Sequence, residues 1–157
     1  MNSKAAPKKV QIKAATSRDV ARLLKFIRAY YKYEGMPFDR KGIASGLAFL
    51  LKSPSTGGAW LILKDGEPVG YLVLTFAFDL EFGGRQAILN DLYISAPHRR
   101  MGIGTTVLAQ IEEFCKSSGV RAIELHVTIR NISVVSFYGA AGFKEYGRIP
   151  MSKRIEQ

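Results

Sequence analysis

Ala87-Ile-Leu-Asn-Asp-Leu-Tyr-Ile-Ser95 runs straight into Ala96-Pro-His-Arg-Arg-Met-Gly102-Ile-Gly-Thr105, and the reading of this stretch decides the fold. Its first part is nearly continuous in apolar residues, as in a strand covered on both faces, and Pro97 ends it. Beyond the loop, Ile103, Val107, Leu108, Ile111, Phe114 and Cys115 recur at helical spacing up to Ser117. A glycine loop therefore opens directly into an amphipathic helix. Glycines let a backbone approach a ligand closely, and a helix start offers unpaired N–H groups with a partial positive charge, which suits a phosphate or pyrophosphate. Arg99 and Arg100 add cationic donors. The same turn serves equally well as a purely structural strand-to-helix connection.

Two nucleotide motifs are excluded. A phosphate-gripping P-loop needs a lysine after the glycines, where Thr105 and Thr106 stand; the dinucleotide fingerprint needs a third small residue where Val107 stands.

The chain has 157 residues and 47% hydrophobic composition, enough for one domain with a real core. Its one cysteine, Cys115, forbids an intramolecular disulfide and falls on the apolar stripe of the helix, which reads as a core residue. No apolar run approaches the ~20 residues of a membrane span, and the first residues lack the apolar core of a secretory signal. These features lead us to expect a cytoplasmic protein with no membrane partner. Of the net charge of +10, four charges come from Lys4, Lys8, Lys9 and Lys13, in an opening segment without acids. An acidic small ligand would explain a basic patch, whereas a nonspecific nucleic-acid role would want aromatics interleaved in it, and the plainest meaning of excess charge is a solvated surface.

In chain order, residues 1–8 read as a flexible basic tail and Lys9 to Ala14 as a first strand. Thr16-Ser-Arg-Asp19 resembles a capping box before a helix marked by Val20, Leu23, Leu24, Ile27 and Tyr31. Gly35 and Pro37 break it, within a segment dense in aromatics; a second helix spans about Lys41 to Lys52. Ala59 to Lys64 and Pro68 to Ala77 form a hairpin closed by Asp65-Gly66. Asp79 to Arg85 is expected to be a mobile glycine-rich loop. After the helix come a strand over Arg121 to Thr128, a short helix over Ser133 to Ala141, and two final strands, Phe143–Tyr146 and Ile149–Arg154. The expected class is α/β of the α+β kind: a mixed, mostly antiparallel sheet of about six to seven strands flanked by about four helices, with residues 9–157 a single domain.

The pattern Arg99-x-x-Gly102-x-Gly104, set after Asn90-Asp-Leu-Tyr-Ile94, resembles the acetyl-CoA-binding motif of the GNAT family of N-acetyltransferases. The resemblance continues in Asn131-Ile-Ser-Val-Val-Ser-Phe-Tyr138-Gly-Ala-Ala-Gly142-Phe143, similar to that family's second segment. It implies acetyl-CoA as co-substrate, no metal, and direct attack by an amine in a ternary complex. It also implies that the backbone of Leu92, Tyr93 and Ile94 pairs with the pantetheine arm. Arg99, Arg100, Met101, Gly102, Ile103, Gly104 and Thr105 would hold the pyrophosphate. Tyr138 matches the family tyrosine beside the thioester sulfur and is the expected general acid; the alternative is a ring packed in a Phe-Tyr pair. Asn131 matches a residue that contacts the coenzyme arm, and it also fits an ordinary helix N-cap.

An acceptor amine is mostly charged at neutral pH and must lose a proton before attack. Asp91 lies among apolar strand residues, where a carboxylate is costly unless it serves a purpose or finds a partner. It is the expected base, through a water, or an anchor for a cationic acceptor; the alternative is a salt bridge to Arg85 or another cation. Tyr33, Glu34 and Glu81 are the expected acceptor contacts, with Asp79 adding to a local acidic pocket. His98 and His126 have no role here, and no metal-ligand spacing is present. Lys32-Tyr-Glu34 together with the key strand looks closest to members acting on polyamines, diamines or histone-like lysines. A homodimer is one assembly this reading admits. The rival readings are a noncatalytic acyl-CoA sensor, which needs neither Tyr138 nor Asp91, and a basic nucleic-acid-binding module.

Overall fold

The computed structural model describes residues 9–156, and the basic tail expected over residues 1–8 lies outside them. The chain divides after His126 into two compact units. In the first, β1 (Val10–Ala14), β2 (Gly57–Lys64), β3 (Glu67–Asp79), β4 (Gly84–Ile94) and β5 (Val120–Leu125) make one sheet in sequence order. Neighbours from β1 to β4 are antiparallel, and β5 joins β4 in parallel through the crossover helix α3. The helices are α1 (Val20–Glu34), α2 (Arg40–Leu50) and α3 (Ile103–Ser117) in this unit and α4 (Ile132–Ala140) in the second. The mixed, mostly antiparallel α+β class expected from the sequence is the one observed.

Local chemistry sets the element ends. Thr16 and Asp19 form the expected capping box, with the Thr16 N–H donating to Asp19 Oδ2 at 2.9 Å; it opens a short 3₁₀ turn that leads into α1. The strong backbone hydrogen bond holds the Asp19 carboxyl below the usual carboxylate range. Gly35, left-handed at φ 69°, stops α1. Asp39 caps α2 by accepting from the Lys41 N–H at 3.1 Å. Asp65 and Gly66 both take positive φ, the turn geometry that matches the right-handed twist of a hairpin.

The two sheet faces carry separate layers. On one, Leu23, Leu24 and Ile27 of α1 and Leu47 of α2 pack on Ala59, Leu61, Leu63, Tyr71 and Val73. On the other, Trp60 meets Phe114 of α3 edge-on at 5.1 Å. Leu23, Leu61 and Ile111 are essentially sealed from water, and each such side chain contributes roughly 1.5–3 kcal/mol on burial. The outer edge of β1 is covered by a side chain: Gln110 of α3 accepts from the Ile12 N–H at 2.8 Å and donates to the Val10 carbonyl at 2.9 Å. That blunts an edge otherwise open to another strand.

Two expectations are corrected. Among the described residues, Phe143–Tyr146 and Ile149–Arg154 form no strand, so the sheet has five strands rather than six or seven. Strand preference without a partner ladder does not make a strand, and Ile149 and Met151 are almost fully exposed. The loop expected over Asp79 to Arg85 is instead a short hairpin turn, because β3 runs to Asp79 and pairs it with Gly84. Among the described residues no helix is long and apolar enough to cross a membrane.

Candidate active site

The site is organised by an irregularity in β4. Along the β3–β4 ladder Val73 pairs with Asp91 but Leu74 pairs with Leu89, which leaves Asn90 as an extra residue. Leu89 and Asp91, two apart, would share one face of a regular strand; the bulge puts them on opposite faces. Leu89 stays in the core, 4% exposed, while Asp91 joins Tyr71, Val73 and Tyr93 on the face toward α1. Asn90 is held by the Thr75 hydroxyl at 2.8 Å.

The bulge also marks where β4 parts from β5. Their pairing runs from Arg85↔Val120 to Leu89↔Leu125 and stops there, so Asp91 to Ile94 have a ladder partner on the β3 side alone. Backbone groups of this stretch that point away from β3 have no ladder partner in β5, and the Ile94 carbonyl accepts from Arg99 Nε instead.

Asp91 is enclosed by aromatic rings. The Tyr71 hydroxyl donates to Asp91 Oδ2 at 2.8 Å, and Tyr71 is wholly buried. Around Tyr71 stand Phe26 and Tyr30 of α1 and Tyr93 of β4, with centroids 6.3 to 6.5 Å away; Tyr31 packs on Tyr30 at 6.0 Å and on Phe38 at 6.2 Å. Burial pushes the Asp91 carboxyl above the usual carboxylate range, and the Tyr71 hydrogen bond only partly opposes it. Burial and the Asp91 charge together push the Tyr71 and Tyr31 phenols above their ordinary value. The salt bridge considered for Asp91 is not made to Arg85, whose guanidinium lies 3.8 Å over the Phe76 ring and reaches the Ser118 and Ser55 carbonyls.

After β4 the chain takes a 3₁₀ turn over Ala96–His98, then left-handed backbone at Arg100 (φ 61°) and Gly102 (φ 76°). α3 starts with no side-chain cap and no acid in its first turn. Its first intrahelical bond is Thr106 N–H to the Gly102 carbonyl, so the amides of Ile103, Gly104 and Thr105 precede it and point out of the helix end. Met101 is half-exposed, within 3.8 Å of the Lys64 ammonium through its sulfur. The Arg99 side chain turns back instead of reaching out from the loop: Nε donates to the Ile94 carbonyl at 2.8 Å, and its guanidinium lies 4.6 Å from the Tyr33 ring centroid and 5.3 Å from that of Tyr93.

A basic helix start whose first amides precede the helical bonding, an adjoining strand end without a ladder partner on one side, and a carboxylate in a ring of tyrosines together suit a thioester coenzyme and an amine. Residues 23–143 match the acetyltransferase (GNAT) family. The chain belongs to the GNAT acetyltransferases, and it is an acyltransferase. An uncharacterised N-acetyltransferase of Methanocaldococcus jannaschii is 28% identical over 92% of this chain and 69% of its own. The aminoalkylphosphonate N-acetyltransferase of Salmonella typhimurium is 27% identical over 86% of this chain and 85% of its own. Among solved structures, an integron cassette protein from a salt-marsh metagenome superposes with a TM-score of 0.81 at 28% identity, covering 94% of this chain and 91% of that one. A Clostridium acetobutylicum acetyltransferase crystallised with acetyl-CoA shares the fold, with a TM-score of 0.76 at 16% identity over 92% of this chain and 96% of that one.

The GNAT second segment lies in the other unit. Asn131 is the N-cap of α4, accepting from the Val134 N–H at 3.4 Å and from the Ser133 hydroxyl at 3.0 Å. Tyr138 is half-buried, its ring 5.1 Å from Phe137 and 5.6 Å from Phe143, and its carbonyl accepts from the Phe143 N–H.

Of the expected acceptor residues, Tyr33 and Glu34 close α1, one turn past Tyr30 and Tyr31. Glu81 is not brought to Asp91. It sits in the β3–β4 turn with Asp79, whose side chain accepts from its N–H, and Asp79 lies six β3 positions from the partner of Asp91, about 20 Å along the strand. The two histidines have partners: His98 Nδ1 is 3.0 Å from the Ser95 hydroxyl, and His126 is 3.4 Å from Glu124. Among the described residues no group of three or more His, Cys, Asp and Glu clusters as metal ligands. Tyr71 was missed by the sequence reading. Its only signal there is an aromatic within the run Val69-Gly-Tyr-Leu-Val-Leu74, because the pairing that sets it opposite Tyr93 is nonlocal.

Proposed function

We propose that this protein transfers the acetyl group of acetyl-CoA to a primary amine by direct attack in a ternary complex, with the acceptor a polyamine, a diamine or a lysine-like amine. The observation that carries this reading is Asp91: a carboxylate set by a bulge into a ring of tyrosines, on the strand whose far end leads into the glycine loop. The name of the Salmonella relative, an aminoalkylphosphonate N-acetyltransferase, supports an amine as the acceptor group and does not bear on the polyamine, diamine or lysine-like branch.

The backbone of Leu92, Tyr93 and Ile94 and the amides from Arg100 to Thr105 would hold the coenzyme, whose thioester supplies an acyl group with a good leaving thiolate. Asp91 accepts the proton of the acceptor ammonium, directly or through a water, and a carboxyl raised by burial is a better base near neutrality than an ordinary one. The freed nitrogen attacks the carbonyl carbon, the carbon–sulfur bond breaks, Tyr138 gives its phenolic proton to the departing sulfur, and the nitrogen sheds its second proton to water, from which the Tyr138 phenolate is reprotonated. In this reading residues 9–157 act as one catalytic domain; the family match runs across the division after His126.

A thiol-release assay over a panel of amines tests it. Turnover is expected with polyamines or lysine-like compounds ahead of neutral amino acids. Coenzyme binding with no release for any amine would indicate a sensor, and a preference for an anionic acceptor would replace the cationic branch.

A further inference from the structure

We propose that Tyr71 is a positioning residue for the acetyl transfer: its hydroxyl holds the Asp91 carboxylate in one orientation and keeps it ionised for the acceptor amine. This rests on the acetyl-transfer reading above. Tyr71 is wholly buried and donates to Asp91 Oδ2 at 2.8 Å; among the described residues no other donor reaches that carboxylate. A single hydrogen bond to one oxygen fixes the carboxyl plane and leaves Oδ1 for the substrate proton. The ring itself is immobilised between Phe26, Tyr30 and Tyr93, so the hydroxyl has one place to point.

The alternative, a tyrosine kept only to fill the core, would not need the hydroxyl. A phenylalanine would pack against Leu23, Leu61 and Val73 equally well. The titratable groups around Asp91 are Tyr30 and Tyr31 from α1, Tyr71 from β3 and Tyr93 from β4, with the Arg99 guanidinium beyond Tyr93; α2 packs the apolar Ile43, Ala44, Leu47 and Leu50 against this core. All the near neighbours are tyrosines. The hydroxyl of Tyr71 is thus the one group in contact that favours the charged carboxylate.

The test follows the Asp91 carboxyl by carbon-13 NMR titration, in parallel with the pH dependence of kcat/KM for thiol release with a reactive amine. Tyr71→Phe is expected to move the Asp91 titration, and with it the acid limb of the profile, upward by about one pH unit. It should lower kcat near neutrality at least tenfold and leave acetyl-CoA binding unchanged. Replacing Tyr71 with 3,5-difluorotyrosine makes the hydroxyl a stronger donor in the same volume, and it should move both downward; this variant answers the question even if Tyr71→Phe folds poorly. In the Asp91→Asn background, Tyr71→Phe should cost nothing further in rate. An Asp91 titration unmoved by either change would overturn the proposal. If the wild type releases no thiol with any amine, the acetyl-transfer reading falls instead, and the proposal with it. An active enzyme with an unmoved acid limb sinks this proposal alone.

Discussion

Asp91 is costly to the fold and, in the proposed reaction, useful to the chemistry for the same reason. Burial raises its folded-state pKa above the unfolded value, so the folded chain holds this proton more tightly than the unfolded one. Its contribution to stability is best below the unfolded value of about 3.9 and is lost as pH rises through the raised folded value. Asp91→Asn keeps an acceptor for the Tyr71 hydroxyl and removes the charge. Calorimetry should therefore show the variant melting above wild type at pH 8, with the gap closing as the pH falls toward 4. Thiol release with a cationic amine should meanwhile drop roughly 10²-fold or more, while coenzyme affinity stays nearly unchanged. A variant that melts well below wild type at pH 8 would mean the carboxylate is a structural partner first. Cys115 shows the opposite use of burial: its thiol, pushed up to about 11, stays protonated and is a core residue.

At the scale of elements, the start of α3 and the edge of β1 make separate predictions. Gly104→Glu places a side chain and a negative charge at the uncapped helix start proposed to hold the pyrophosphate, and it should abolish the thermal shift expected of the wild type with acetyl-CoA. A full shift in the variant would remove this helix end from the binding site. The Gln110 side chain stands in for a neighbouring strand along β1. Gln110→Ala leaves the Ile12 N–H and the Val10 carbonyl to water; a loss of about 1–2 kcal/mol in denaturant unfolding is expected, with the midpoint moving and the slope holding. Light scattering should also show more self-association, since the edge is reopened. Gly70 is needed for a steric reason, because any Cβ there would run into the Tyr93 carbonyl oxygen.

For the whole molecule, the two segments of family resemblance fall in different units, and the proposed reaction draws on residues of both. Acetyl-CoA bound only by the folded chain should raise the melting temperature with concentration, by about 2.7 kcal/mol of added stability at a hundred times Kd. Tyr138→Phe tests the second unit's part in the chemistry. The ring packing against Phe137 and Phe143 survives the change, so coenzyme affinity and melting temperature should hold. Turnover should fall by 10²–10⁴-fold where thiol release limits the rate, and a less basic leaving thiol should recover part of it. Turnover within about threefold of wild type would assign the proton to another donor.

What the sequence alone determined is what short-range chemistry specifies. The Thr16–Asp19 capping box, the Gly35 stop, the Asp65-Gly66 hairpin and the step from glycine loop into α3 each depend on residues a few positions apart, and each formed as read. The family was legible for the same reason, since its motifs are local strings. Tertiary structure decided the rest. Asp91 faces the tyrosines only because one extra residue, Asn90, shifts the β3–β4 register, and a strand pattern of period two cannot announce a bulge. Tyr71 became its partner across that ladder, and Glu81 was carried away from it along the same strands. Arg99 was drawn back onto Tyr33 and Tyr93. The apolar segments after residue 142 form no strand because a strand exists only when a neighbour completes its hydrogen bonds, and no string of residues carries its neighbour with it.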